Sequence, residues 1–255
     1  MRNILAKMIL MAVALGLVGY GFGMSDPEQQ RPMSTMTVAE LEKAGDLARV
    51  HKDYTLAIQY FQTALQKDRK NAVLYNKLGL AYLQNNDSEN ARANFKTAVK
   101  RNPKYADALN NIGAVEYTRR NFGGAAKFFK KALALDETRA SFHVNLGAAW
   151  FGQNKLDRAI AEYTRAVELD PEVLVSQSRG GVTAQISSPE ERARYSYMLA
   201  KIYAKMGEVD RCLECLRKAK EEGYRDMANV YRDQEFGPLW QDVRLNTMVP
   251  PPVAK

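Results

Sequence analysis

The residues of this sequence with the most recognisable chemical spacing are Cys212 and Cys215, which form a Cys-x-x-Cys pair. In an oxidising compartment such a pair can form a disulfide or a redox site. A thioredoxin-like motif would follow a strand in an alternating sheet fold, whereas these cysteines fall within a helical pattern. Covalent haem attachment would require a histidine in place of Leu216. The sequence therefore favours buried thiols over a redox centre.

Other groups that could catalyse a reaction are sparse. The sequence has two histidines, His51 and His143, and a structural role is the simplest interpretation of both. It contains no glycine-rich phosphate loop, no Ser/His/Asp ordering and no cluster with metal-ligand spacing. We therefore expect no catalytic residues, no metal site and no cofactor, and we expect that the protein is not an enzyme.

The composition carries a positive excess, with 37 Lys and Arg against 29 Asp and Glu and a formal net charge of +8. Such an excess favours acidic partners or an anionic surface. The basic residues are scattered over several predicted helices with acids between them, which favours a solvated face over a nucleic-acid site. Nucleic acid is not an expected partner. Docking on anionic envelope lipid or polymer stays as an alternative function.

The N-terminus has the pattern of an export leader. Arg2 and Lys7 are followed by an uncharged stretch from Met8 to Ser25, with a strongly apolar core. Small residues near Gly23 predict cleavage after that residue. An uncleaved membrane anchor is the alternative, since the stretch is about as long as the shortest membrane-spanning helices. In either case we expect the rest of the chain to be exported, in the periplasm or anchored at the membrane.

The sequence elements that must position any functional site recur every 34 residues. Four columns of similar residues recur at this step: Gly45, Gly79, Gly113 and Gly147; Ala57, Ala91, Ala125 and Ala159; Phe61, Phe95, Phe129 and Tyr163; and Ala64, Ala98, Ala132 and Ala166. Each unit predicts two amphipathic helices joined by a short polar turn. Small residues at Gly79 and Ala91 should let the two helices of one hairpin approach closely.

With these small and aromatic columns the repeat resembles the tetratricopeptide repeat (TPR) family, and four full repeats match over residues 38–173. The resemblance implies an all-α fold, a right-handed TPR solenoid of helix-turn-helix hairpins with a C-terminal capping helical segment, and a protein of the exported bacterial type. The terminal proline of the motif is replaced by Arg69 and Glu137 in two repeats. Glu116 stands where a large aromatic residue is usual.

The rest of the sequence divides into further segments. We assign residues 1–23 to the signal peptide or anchor, 24–37 to a linker, 174–188 to an insertion loop, 189–222 to a fifth TPR-like hairpin, 223–245 to a C-terminal cap and 246–255 to a disordered tail. In the fifth hairpin Ser188 is the predicted N-cap, Pro189 suits the first helical position and Glu191 should complete a capping box. The cap would cover the apolar end of the last repeat.

The first helices of the repeats should line a concave groove, because the side chains not used for the hairpin core lie on their opposite side. The candidate partner-binding residues are Asn76, Leu80, Leu83, Asn110, Asn111, Tyr117, Asn145, Phe151, Arg194 and Lys201. Tyr117 and Phe151 are the expected aromatic anchors. The alternative is that both rings merely pack against neighbouring helices.

The asparagines suggest contacts with a peptide backbone, because an amide both donates and accepts hydrogen bonds. Asn111 and Asn145 match a column that grips peptide backbone in the superhelical repeats of the enzyme that attaches O-linked N-acetylglucosamine to proteins. Lys43 and Lys77 occupy that column in the first two repeats. Amides bonded only to neighbouring helices and water are the alternative. The leading functional hypothesis is a non-catalytic scaffold or adaptor in the cell envelope that holds a peptide segment of a protein partner.

Overall fold

The computed structural model describes residues 32–174 and 188–252, and all regular secondary structure within these ranges is helical. The predicted signal peptide or anchor and nearly all of the predicted insertion lie outside the described residues. No helix in the described ranges combines the length and apolar character needed to cross a bilayer. The chain divides into two compact units, residues 1–69 and 70–255, which are described in turn.

The described residues of the first unit form one helical hairpin, preceded by a 3-10 turn at Met33–Thr35. Helix α1 spans Val38–Val50 and helix α2 spans Tyr54–Lys67. Thr37 begins α1 with a full capping box: its hydroxyl accepts from Glu40 N at 3.2 Å, and the Glu40 carboxylate accepts from Thr37 N at 2.7 Å. These bonds satisfy backbone groups that a helix start leaves unpaired.

The described residues of the second unit form four hairpins and a short final helix. The helices are α3 Ala72–Gln84, α4 Ser88–Arg101, α5 Ala106–Thr118, α6 Phe122–Leu133, α7 Ala140–Gly152, α8 Leu156–Leu169, α9 Pro189–Lys205, α10 Val209–Glu221 and α11 Val243–Met248. Each hairpin pairs one helix with the next along the chain, from α3 with α4 to α9 with α10. The predicted all-α hairpin architecture is therefore confirmed.

The glycine of a first helix packs against the aromatic residue of its own second helix. A β-carbon at Gly79 would lie 2.5 Å from Cε1 of Phe95, and one at Gly113 would lie 2.5 Å from Cε1 of Phe129. Both rings are fully buried and cannot retreat without opening other contacts. The carbonyl oxygen of Ala91 is also close to Gly79, at 3.1 Å from the same β-carbon position. The predicted approach of the two small residues is present, but the aromatic ring is the nearer neighbour.

The turn inside each hairpin contains one residue with left-handed backbone. These residues are Lys52, Asn86, Arg120, Asn154 and Gly207, with φ between 59° and 74°. The first four are spaced by the repeat period, and Gly207 occupies the same place when the fifth hairpin is counted from Ala193. A residue with a β-carbon loses about 1–2 kcal/mol in this conformation, so glycine is the least strained of the five.

Helix α9 begins where the sequence predicts, but the capping box is incomplete. The hydroxyl of Ser188 accepts from Glu191 N at 3.0 Å, and Pro189 occupies the first turn. The carboxylate of Glu191 does not return the bond within the described residues and lies instead 3.6 Å from the guanidinium of Arg120. Glu191 therefore contacts the turn between α5 and α6 rather than its own helix start.

Residues after α10 cover the end of the last hairpin. Two 3-10 helices, Met227–Tyr231 and Gln234–Leu239, precede α11. Phe236 and Leu245 are fully buried and pack in one cluster with residues of α9 and α10. This apolar segment lies at the position predicted for a cap.

Two details of the C-terminal segment differ from the sequence analysis. Trp240 and Val243, which the apolar pattern places in the cap, are 37% and 74% exposed. The end of α11 at Met248 and the buried Val249 extend the ordered structure into the tail predicted to be disordered. Val249 is ordered because it packs into the α9–α10 cluster, a long-range contact that the proline-rich composition does not reveal.

Candidate functional site

Asparagine side chains of neighbouring first helices are hydrogen-bonded in pairs. Asn111 on α5 donates through Nδ2 to Oδ1 of Asn76 on α3 at 2.9 Å. Asn145 on α7 donates in the same way to Asn110 on α5 at 2.9 Å. Asn76 and Asn145 are buried, whereas Asn110 and Asn111 are half-buried. The four predicted amides are thus brought together as two pairs that meet on α5.

Each pair leaves hydrogen-bonding groups for a further partner. An amide has one carbonyl oxygen and one NH2 group. Asn111 uses its NH2 group in the pair and keeps its oxygen, whereas Asn110 uses its oxygen and keeps its NH2 group. Neither remaining group bonds to a residue in the described ranges. Two adjacent residues of α5 therefore offer one acceptor and one donor, the complement of a peptide backbone's N–H and C=O.

Three of the predicted groove residues, Tyr117, Phe151 and Arg194, line a single pocket at the C-terminal ends of α5 and α7. Its volume is about 270 Å³. The other lining residues are the last residues of these two helices, the turn residues after them, the first residue of α6 and one residue near the start of α9: Thr118, Gly152, Arg120, Asn154, Phe122 and Glu191. We call this cavity the Arg120–Arg194 pocket.

The two predicted aromatic anchors are largely covered by neighbouring side chains. Tyr117 is 6% exposed and meets Phe122 edge-to-face, with ring centroids 5.1 Å apart. Phe151 is 5% exposed and meets Tyr195 of α9 at 5.7 Å. Packing against neighbours therefore accounts for most of the surface of both rings, and the solvent-side placement expected from the sequence is wrong. Replacing both with alanine would destabilise the fold rather than leave it intact.

The remaining predicted groove residues lie away from the pocket. Leu80 and Leu83 are half-buried and pack against a buried apolar cluster of α4 and α5. The ammonium group of Lys201 lies 3.4 Å from a carboxylate oxygen of Asp233 and 3.4 Å from one of Glu235. Lys201 is therefore held by the C-terminal segment and does not extend the charge of Arg194.

Sequence reasoning missed six of the nine lining residues, and among these Arg120, Phe122 and Glu191 supply charge and an aromatic wall. Arg120 occupies the left-handed turn position, and its guanidinium carbon lies 5.6 Å from the ring centroid of Phe122. Glu191 belongs to the backward extension of α9. The available signals were the turn position, which recurs with the repeat period, and the extra helical turn before Ala193.

The cysteine thiols are buried and unbonded. Burial, together with the neighbouring Cys215, raises the pKa of Cys212 to about 12. Burial likewise raises the pKa of Cys215 to about 11. Such thiols keep their protons at neutral pH and are poor nucleophiles. The buried, inert interpretation of the pair agrees with this environment.

The contacts of His143 are hydrogen bonds to residues of its own hairpin and the preceding segment, as expected of a structural residue. His143 Nδ1 lies 2.8 Å from a carboxylate oxygen of Glu162, and Nε2 lies 3.1 Å from the carbonyl oxygen of Glu137. Within residues 32–174 and 188–252, no group of three or more His, Cys, Asp or Glu side chains could hold a metal ion.

Paired helices repeated in register, with a small residue of one against an aromatic residue of the other, define a helical-repeat protein. Family models described as Tetratricopeptide repeat match residues 76–140, 140–173 and 193–222. Together these matches cover half of the chain, which therefore belongs to the tetratricopeptide repeat family. The third match begins at Ala193, the residue from which the shifted phase of the fifth hairpin is counted. None of the curated proteins compared with the sequence matches it.

Solved TPR structures share this fold. A MamA structure from Desulfovibrio magneticus RS-1 gives a TM-score of 0.53 at 18% identity, covering 74% of this chain and 97% of that chain. A thermophilic TPR protein of Thermus thermophilus gives 0.51 at 21% identity, covering 77% and 96%. At such identities the likeness establishes the TPR solenoid fold alone.

Proposed function

We propose that this TPR protein is a non-catalytic scaffold whose first helices hold an extended segment of a protein partner. TPR proteins are in general interaction scaffolds that bind proteins or peptides. The finer assignment concerns the surface formed by α3, α5 and α7, where the paired asparagines lie. The partner is a peptide segment in extended conformation, since only an unpaired backbone has N–H and C=O groups left to bond.

The observation that supports this proposal best is the pair of unused amide groups on α5. The Asn111 oxygen can accept from a peptide N–H, and the Asn110 NH2 group can donate to a peptide C=O. Their partners, Asn76 and Asn145, hold both amides in place through bonds of 2.9 Å. Preorganised groups lose little conformational entropy when a ligand binds. Each such bond contributes on the order of 1 kcal/mol, so neighbouring apolar contacts must supply the rest of the affinity.

The test uses the purified protein and a displayed library of random peptides. The tightest binder is then measured against Asn110→Ala combined with Asn111→Ala. Loss of both bonds should weaken binding by about tenfold or more. The matched control is Asn94→Ala on α4, where the amide donates to the Asn90 carbonyl at 2.8 Å on a second helix. Failure to select any binder, or equal affinity for the double variant and wild type, would reject the proposal.

We also propose that the protein acts outside the cytoplasm, in the cell envelope. The support is the leader pattern of the sequence, with Arg2 and Lys7 before an uncharged apolar stretch. N-terminal sequencing of protein from fractionated cells should find a start near Met24 in the periplasmic fraction. An intact leader on protein that stays with membranes after a high-salt wash would instead establish an anchor. Protein recovered only from the cytoplasm would contradict both forms.

A further inference from the structure

Five lysines form an exposed basic face on the second helices of two neighbouring hairpins. Lys96 and Lys100 lie on α4, and Lys127, Lys130 and Lys131 lie on α6. All five residues are exposed, and none forms a salt bridge with a carboxylate in residues 32–174 or 188–252. Lys96 and Lys130 occupy the same position of successive repeats. We call these five residues the α4–α6 basic face.

The acidic residues that lie near these lysines in the sequence are already paired with arginines. Residues 88–135 contain three acids, and each accepts a bond from a guanidinium group: Glu89 from Arg119, Asp107 from Arg139 and Glu116 from Arg92. The acids scattered among the basic residues of this region therefore do not neutralise the lysines. The charges of the lysines stay available to a partner outside the chain.

The two parts of the face are adjacent because α4 and α6 pack against the same core. Val99 of α4 and Phe128 of α6 contact the same two buried apolar clusters. Lys96 and Lys100 lie three residues before and one residue after Val99, on the solvent side of α4. On α6 the ammonium group of Lys131 lies 5.6 Å from the ring centroid of Phe128. The lysines therefore line both sides of one seam between the hairpins.

Helix stability explains only part of this arrangement. The helix dipole stabilises cations in the last turn of a helix, and Lys100, Lys130 and Lys131 lie there. Lys96 and Lys127 lie earlier, where that effect has faded. Lys96 with Lys100, and Lys127 with Lys131, are like-charge pairs four residues apart, and such pairs destabilise a helix. A face that opposes folding and meets no acid of the described chain indicates an anionic partner.

We propose that the α4–α6 basic face docks on a bilayer surface that carries anionic phospholipid headgroups. An ammonium group is a point charge on a flexible stem, which suits headgroup phosphates that move within the plane of a membrane. Clusters of about four to eight basic residues bind such surfaces, and each residue near the surface strengthens binding by about fivefold. Five lysines therefore give reversible docking, which is weaker than the insertion of a membrane-spanning helix.

The chemistry of the face disfavours nucleic acid as the anionic partner. Proteins bind nucleic acids largely through forked arginine contacts and through aromatic rings that stack on bases. The three arginines nearest to these lysines in space or sequence that form ion pairs are held by acids of the chain: Arg92, Arg119 and Arg139. Phe128 is half-buried among apolar residues, which withholds its ring from stacking.

This inference goes beyond the scaffold function and does not depend on it. The paired asparagines lie on the first helices α3, α5 and α7, whereas the lysines lie on the second helices α4 and α6. A peptide and a bilayer would therefore occupy different helices of the same hairpins. The protein can hold its partner while it touches the membrane.

The first experiment measures the affinity of the purified protein for vesicles of phosphatidylcholine alone and for vesicles with equal parts of phosphatidylcholine and phosphatidylglycerol. Binding should be tighter to the anionic vesicles. Raising the salt from about 0.1 M to about 1 M should abolish the difference, because the Debye length falls from about 10 Å to about 3 Å. Insertion by the apolar N-terminal stretch would contribute to both vesicle types, so the difference reports the face. Equal affinity for the two vesicle types overturns the proposal.

The second experiment repeats the vesicle measurement on variants that melt at the temperature of wild type or above. Lys96→Gln combined with Lys130→Gln should weaken binding to the anionic vesicles by about tenfold or more. The matched control is Arg225→Gln combined with Arg232→Gln, which removes the same charge from exposed residues of the C-terminal segment. Wild-type affinity in the lysine variant, or an equal loss in the control, overturns the docking face.

Two further measurements separate the bilayer from other partners and from the proposed function. If a glutamate-rich peptide binds through the lysines and the anionic vesicles do not, an acidic polypeptide replaces the bilayer and the proposal falls. The peptide selected for the scaffold function should bind Lys96→Gln with Lys130→Gln as it binds wild type. Asn110→Ala with Asn111→Ala should keep wild-type affinity for the vesicles. Loss of vesicle binding in that asparagine variant would contradict a docking face on α4 and α6.

Discussion

The guanidinium Nε of Arg92 donates to Oε1 of Glu116 at 2.6 Å. Both residues belong to the second unit. Glu116 stands at a hairpin position where TPR repeats usually carry a large aromatic residue. Nδ2 of Asn121 donates to the other carboxylate oxygen at 2.7 Å, so both oxygens are satisfied. Asn121 also caps α6 by accepting from Gly124 N at 3.0 Å. A buried polar network therefore replaces a packed ring in this repeat.

Breaking this network should destabilise the protein. Arg92→Met removes the guanidinium that donates to the buried carboxylate of Glu116, and we expect a loss of about 1–3 kcal/mol in the free energy of unfolding. Arg92→Met combined with Glu116→Met should recover most of the loss, because no buried charge remains. Urea unfolding of both variants measures this. Lys96→Met, on the exposed face of the same helix, is the control. If Arg92→Met alone were as stable as wild type, the account would be contradicted.

The same carboxylate should make stability depend on acid. Burial acts to raise the pKa of Glu116, but hydrogen bonds from Asn121 and Arg92 and the charges of Arg92 and Arg119 outweigh burial and lower it below 4.5. A carboxyl whose pKa is lowered by folding contributes stability above its unfolded pKa and loses it as pH falls through the folded value. Urea unfolding from neutral pH to about pH 3 should therefore show a steeper loss for wild type than for Glu116→Gln. If the free energy of unfolding fell equally with pH in wild type and Glu116→Gln, the network would be ruled out as the cause.

The glycine–aromatic contact predicts a strong size limit at Gly113. A valine there would bring atoms well inside contact distance of Phe129, and we expect a loss of about 1–3 kcal/mol. Gly123→Ala in α6 is the matched control, since a β-carbon there meets nothing within 4 Å. That change should stabilise the helix by up to about 1 kcal/mol. Thermal melting that shifts the two variants in the same direction would show that the contact does not limit size.

The cysteine pair should be slow to react in the folded protein. Because burial raises the pKa values of Cys212 and Cys215 to about 12 and about 11, a thiol reagent at about pH 8 should modify them only after unfolding. Thiols with raised pKa values contribute stability that is present below their unfolded pKa, near 9.0, and lost as pH rises toward the folded values. Cys212→Ala, which restores the alanine of the other repeats, should lose less stability in alkali. Rapid labelling of native protein would disprove the burial argument.

The hairpin array could be predicted because its causes are local and periodic. Small and aromatic columns at a fixed step report the packing of each helix on its own partner, and Ser188 with Pro189 reports a helix start. The same reasoning placed the four asparagines near one another. It could not place their hydrogen bonds, which depend on the offset between successive first helices.

Three residues of the pocket were candidates from the sequence, but their assembly into one cavity could not be predicted, because its second wall comes from α9. An insertion before α9 removes the fixed step that relates one hairpin to the next, so no column indicates that Tyr195 covers Phe151. The Glu116 network was visible only as a departure from the aromatic column. Its partner Arg92 is 24 residues away and belongs to the preceding hairpin, beyond any helical periodicity.

The contact between each glycine and its aromatic ring also constrains how this sequence can change. The ring of Phe95 fills the space that a side chain at Gly79 would need, so the combined side-chain volume of the two positions is limited. Tyr163 crowds the space at Gly147 less, at 3.0 Å. Alanine should therefore be tolerated most readily at Gly147. At the other glycines it should be tolerated only when the facing aromatic residue is replaced by a smaller one. Substitutions in these two columns should occur as compensating exchanges, hairpin by hairpin.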